Sequence, residues 1–223
     1  MSRSNRSFQR CASVAASQNE ITSCLGNALG VELIAAEAAR RTEHADALHH
    51  ILRGRAARLR PNSRDLYAGA IRPFEHALAL DPTFVEAQSR LAASLASRVL
   101  NVMTDSAAAD LARAEGLVDQ AMATSPRSAY AHLVKGSVLF APHQWEEAVL
   151  EYETALALHR NMAGALNELG YCELFTGSID KAIPLVEQSI RLGPRDPHIG
   201  SPYLLIGIVH FAAIVHRRGD QLV

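Results

Sequence analysis

The 223-residue chain has little of what marks most function classes. Three cysteines, Cys11, Cys24 and Cys172, leave one unpaired in any disulfide scheme and stand at no metal-ligand spacing. A disulfide framework and a cysteine-ligated zinc site are thereby excluded, and a reducing cytoplasm is the simplest compartment. Formal net charge is -1, so overall balance directs the chain to neither nucleic acid nor an anionic membrane. No apolar run approaches the roughly eighteen residues that span a bilayer. The chain also lacks a glycine-rich phosphate loop, a Gly-x-Ser-x-Gly elbow and a His-Glu-x-x-His pair. The expectation is a non-catalytic protein with no metal and no cofactor.

What is present is a period. Ala114, Ala148 and Ala182 stand 34 residues apart, and Ala121, Ala155 and Ser189 keep the same step. So do Met122, Leu156 and Ile190, and then Pro126, Arg160 and Pro194. Within the best unit the pattern is Ala131, Gly136, Trp145, Ala148, Tyr152 and Ala155, with Ala165 and Gly170 opening the next. This spacing and these residues resemble the tetratricopeptide (TPR) repeat, a helix–turn–helix unit that stacks on its neighbours. Small residues recur where the two helices of a unit cross closely, and Leu139, Tyr152, Leu156 and Leu158 are expected to fill the space between. Their spacing of three and four is that of one helical face.

The expected fold is all-α, a right-handed TPR solenoid of antiparallel helix pairs with four full repeats and an incomplete fifth. Its units fall at about 45–82, 83–126, 127–160, 161–194 and, in part, 195–215. A Ser/Arg-rich segment, residues 1–18, carries Arg3, Arg6 and Arg10 without the apolar stretch of a secretory signal, and reads as a disordered tail. Residues 19–44 read as an N-terminal helix and 216–223 as a polar tail.

The period is broken in two places. Ala70, Ala77, Leu78 and Pro82 have counterparts 44 residues on, at Ala114, Ala121, Met122 and Pro126, and Ala87 to Ala131 is also 44. The extra ten residues therefore fall between the helices of the second unit, near Ser97 to Ala108. Thr104, Asp105 and Ser106 are good N-cap residues there, predicting a lengthened first helix, a short turn and a restart near Ser106. Pro73 and Pro184 fall inside helical patterns; Pro73 is expected to bend its helix. After Gly207 the partner helix of a fifth unit is missing, which predicts a truncated family member that self-associates through an uncapped helix carrying Ile206, Ile208, Val209, Phe211, Ile214 and Val215.

In such a solenoid the first helix of each pair lines the concave surface, through its second, fifth, ninth and twelfth residues. These are Glu86, Ser89, Ala93 and Ala96 in the second unit, then Tyr130, Leu133, Ser137 and Phe140, then Gly164, Asn167, Tyr171 and Leu174. TPR proteins that grip a chaperone's terminal carboxylate resemble one another in a Lys and Asn set, of which only Asn167 is present. The expected ligand is an extended peptide or a partner helix laid over Tyr130, Leu133, Ser137, Phe140, Asn167, Tyr171 and Leu174.

Other clusters are weaker. Arg53, Arg55, Arg58, Arg60 and Arg64 form the densest charge run, which reads either as the exposed edge of the first repeat or as a patch for an acidic partner. A nucleic-acid interface would need a broader basic stripe, and none is expected. His44, His49 and His50 lie close together, but His49 and His50 fall on different faces of a helix. Glu146, Glu147 and Glu151 read as a solvated helix surface.

A closer resemblance rests on "EITSCLGNALGVELIAAEAARRTEHADALHHILRGRA", "FEHALALDP", "ADLARAEGLVDQAMATSPRSAYAHLVKGSVL", "WEEAVLEYETALAL" and "FTGSIDKAIPLVEQSIRLGPRDPHIG". From about Glu20 to Gly207 the chain resembles the TPR half of bacterial proteins related to class III adenylate cyclases. The resemblance implies a bacterial setting and two functions: a free-standing interaction scaffold, or the truncated regulatory arm of a cyclase-like signalling protein. The cyclase module itself would need a further body of sequence.

Overall fold

The computed structural model describes residues 21–22, 47–60 and 62–219, with side chains to Phe211. The expected tail 1–18, most of the expected helix 19–44 and His44 lie outside the described residues. Among those described, nine helices and no strand occur. They are α1 (Ala47–Ala57), α2 (Arg64–Leu80), α3 (Val85–Leu100), α4 (Ala107–Thr124), α5 (Ala129–Phe140), α6 (Trp145–Leu158), α7 (Ala163–Phe175), α8 (Ile179–Leu192) and α9 (Gly200–Gly219). Residues 216–219 thus continue α9 instead of opening a tail.

Each odd-numbered helix from α1 to α7 packs on the helix that follows it, and successive pairs pack on one another. What allows the close crossing within a pair is the absence of a side chain at one point. A Cβ on Gly54 would stand 2.4 Å from the Phe74 ring, one on Gly136 2.5 Å from the Tyr152 ring, and one on Gly170 2.6 Å from Val186. The recurring alanines Ala70, Ala114, Ala148 and Ala182 are fully buried. Close-packed interiors give such contacts no room to shift.

The core runs along the stack as three successive clusters. The first joins α1 to α5 through Tyr67, Phe74, Leu91, Val118 and Val134; the second holds Tyr152, Leu169 and Cys172; the third holds Val186, Leu205 and Val209. Each helix pair buries its apolar face against the next, as a solenoid requires. Leu158, expected in the core, is exposed at the end of α6.

The ten extra residues of the second unit are shared between both helices. α3 has 16 residues against 12 in α5, and α4 has 18 against 14 in α6. The connection, 101–106, is two residues longer than 141–144. The excess thus falls on both helices and not, as the sequence predicts, on the first alone; adding about one turn to each keeps both apolar stripes in phase. Ser106 occupies the N-cap position of α4 without a side-chain bond, and Thr104 Oγ1 instead accepts from the Ser106 amide at 3.1 Å. The long hairpin is stapled by Arg98, whose Nε donates to Asp110 Oδ2 at 2.9 Å and whose Nη2 donates to Oδ1 at 2.5 Å.

Two helix starts are capped as their sequence dictates. Ser63 accepts from the Leu66 amide at 3.1 Å and Ser128 from the Ala131 amide at 3.2 Å, each contributing about 1 kcal/mol. Pro73 is the tenth residue of α2 and Pro184 the sixth of α8.

α9 lies against α7 and α8. Leu205 and Val209 form its buried stripe, while Tyr203, Leu204, Ile208 and Phe211 face outward. No helix of the described residues is long and apolar enough to cross a membrane.

Candidate functional site: a groove closed by a return contact

The first helices of the four pairs line one concave cavity of about 880 Å³, and the segment leading into α9 forms its far wall. His198, in that segment, places Nε2 2.9 Å from the backbone oxygen of Arg58, 140 residues earlier in the chain. The stack therefore curves far enough for its fifth unit to touch its first.

One end of the cavity is basic. Arg90 Nε stands 2.7 Å and Arg55 Nη1 3.6 Å from Glu86 Oε1, and the Arg90 guanidinium lies over the Tyr130 ring, 4.8 Å from its centroid. Burial, then the neighbouring Arg90 charge, lowers the Arg55 pKa from its ordinary value. Arg58 lies over the Tyr67 ring at 4.9 Å, and its Nη1 is buried with no hydrogen-bond partner. Arg53 and Arg60 are exposed, and Arg64 pairs with Asp105 through two bonds of 2.8 and 3.0 Å. The arginine run is thus divided. Arg55 and Arg58 turn into the cavity and the other three do not line it.

The other end is built on α7. Asn167 donates from Nδ2 to Glu168 Oε1 and to Ser201 Oγ, both at 3.2 Å, while its Oδ1 is buried without a partner. Tyr171 donates to the Ser201 backbone oxygen at 3.0 Å. Glu168 keeps some surface against the cavity yet is enclosed by protein, and burial pushes its carboxyl from 4.5 up to about 7. Its charge in turn raises the neighbouring Tyr152, Tyr171 and Cys172, although burial is the larger cause for each.

An aromatic ledge edges this end. Trp145 stacks on Phe175 at 4.9 Å and 15°, and His143 also stacks on Trp145, at 4.9 Å and 25°. Phe140 meets Trp145, Phe175 and Tyr171 edge-on. Phe175 is 54% exposed, and His143 adopts a left-handed backbone, φ 67°, that a non-glycine residue rarely takes.

Of the seven groove residues expected from sequence, Tyr130, Leu133, Ser137, Phe140, Asn167 and Tyr171 line the cavity. Leu174 does not; it packs against the Val186 and Leu205 cluster, and Phe175 takes its place. In the second unit Ala93 lines the cavity, Ala96 is buried, and Glu86 and Ser89 border a shallower depression shared with Tyr130. Glu168 was missed from sequence. Its signal was a carboxylate at helical spacing from Ala165 and Cys172, both fully buried.

His49 and His50 do not line the cavity. His50 lies 5.9 Å from His49 and 5.2 Å from His76, centroid to centroid, and no group of three metal-ligating side chains occurs among the described residues.

The geometry is that of a TPR solenoid, and solved structures bear this out. The chain is similar to a thermophilic TPR protein of Thermus thermophilus, with 20% identity, coverage of 84% of this chain and 96% of that one, and a TM-score of 0.62. It is also similar to pilF of Pseudomonas aeruginosa, with 20% identity, coverage of 78% and 72%, and a TM-score of 0.54. No protein-family model matches the chain, and no curated protein matches it. At these identities the likeness defines the fold: an all-α TPR solenoid.

Proposed function

We propose that the chain is a non-catalytic interaction scaffold that holds an extended peptide or partner helix in the concave groove. The observation that carries this reading is the continuous cavity whose wall takes Tyr130, Leu133, Phe140 and Tyr171 from two successive first helices. Apolar and aromatic surface with a few polar groups is the usual make-up of a peptide groove. The double substitution Leu133→Ala, Tyr171→Ala should abolish partner capture in a pull-down from native lysate read by mass spectrometry. Capture of the same proteins by the variant would remove the support.

The resemblance from Glu20 to Gly207 favours a second reading, the regulatory arm of a cyclase-like signalling protein in a bacterial cytoplasm. An intact cyclase reading frame immediately upstream would support it; cyclic-AMP production by the purified chain would contradict both readings. Self-association through α9 is the accompanying proposal, since Tyr203, Leu204, Ile208 and Phe211 are exposed on it. Light scattering that shows a clean monomer at high concentration would refute it.

A further inference from the structure

The polar end of the groove presents acceptors that the chain leaves unmatched. Both amide hydrogens of Asn167 are taken, by Glu168 and Ser201, while its Oδ1 is buried with no partner in a residue only 6% exposed. Glu168 receives its hydrogen bond from Asn167 alone, and no cation pairs with it among the described residues. The nearest groups that sense its charge are Tyr152, Tyr171 and Cys172, none of them positive. By contrast, Glu86, which borders the neighbouring depression, already holds Arg55 and Arg90. An enclosed carboxylate without a cation is costly, and a charge-assisted hydrogen bond in such a place is strong.

We propose that this end of the groove is a receptor for a basic side chain: the bound segment of a partner protein presents a lysine or arginine whose head group donates to Glu168 and to Asn167 Oδ1. An ammonium or guanidinium has donors enough for both oxygens and no acceptor to clash with them. Tyr171, beside them, and the Phe140 and Phe175 rings that line the same wall offer aromatic surface to the aliphatic stem and to the charge. The unpartnered Arg58 Nη1 faces the opposite requirement, so the same segment meets a donor at the first repeat and acceptors at the fourth. Binding of the cation also fixes Glu168 in its ionised form.

This inference rests on the groove reading. Its test is a positional-scanning library of N-acetylated, C-amidated hexapeptides presented to the purified full chain. At one position lysine or arginine should be favoured about tenfold or more over norleucine, which keeps the stem and removes the charge. In Glu168→Gln, checked for folding by circular dichroism, that preference should fall to near parity while preferences at other positions persist. The comparison of lysine with norleucine needs no variant, so it stands even where the substitution disturbs the fold. Selection of neutral or acidic residues throughout, or a basic preference unchanged in Glu168→Gln, overturns the inference and leaves the groove reading intact. Retention of no peptide at all overturns both.

Discussion

His198 donates from Nε2 to the backbone oxygen of Arg58 at 2.9 Å, tying the entrance of α9 to the end of α1. The acceptor is a carbonyl, so Nε2 carries the hydrogen. Residues this far apart in sequence meet only because the small rotation between successive units adds up over the stack.

Removing that bond should therefore loosen the closure without unfolding the solenoid. His198→Ala is expected to cost about 1 kcal/mol and to speed amide exchange across residues 193–202, while exchange in α4 stays unchanged. Hydrogen–deuterium exchange read by mass spectrometry checks both parts. Equal protection of 193–202 in the two proteins would show that the contact does not hold the groove shut.

Glu168 makes stability depend on pH in an unusual direction. Its carboxyl is raised from 4.5 to about 7, so between those values the folded chain holds a proton that the unfolded chain has lost. This contribution is present in full below about pH 4.5 and is lost as pH rises through 7, a change on the order of 3 kcal/mol at most. Urea unfolding of Glu168→Gln should show a gain over the parent chain at pH 8 and little difference at pH 5. Parallel pH profiles for the two proteins would contradict the assignment.

Two glycines in neighbouring helices should respond oppositely to one methyl group. At Gly136 a Cβ meets the Tyr152 ring at 2.5 Å, so Gly136→Ala is expected to destabilise by about 1–3 kcal/mol. Gly116, inside α4, has nothing within 4 Å, and Gly116→Ala should stabilise by about 0.5–1 kcal/mol through better helix propensity. Thermal melts of the two variants measure both signs.

The repeat was legible because its small residues are dictated locally: Gly136 and Gly170 recur at 34 residues where two helices must nearly touch. The position of the groove followed from the same register, since helical geometry turns Tyr130, Ser137 and Asn167 toward one side. Leu174 turns instead to the core that α7 shares with α8 and α9, where the Val186 and Leu205 cluster receives it. The division of the arginine run was not legible, because Arg64 is claimed by Asp105 from the lengthened hairpin and Arg58 by the ring of Tyr67. Nor was the closure at His198, which depends on curvature summed over four units.

The aromatic ledge has a practical side. Trp145 is the single tryptophan of the chain, and it touches Phe140 and Phe175, both of which line the cavity. Its indole emission is therefore a label already installed at the mouth of the groove. A guest that displaces water from that ledge or shifts Phe175 would change the colour and intensity of that emission, so occupancy can be titrated optically on the unmodified protein.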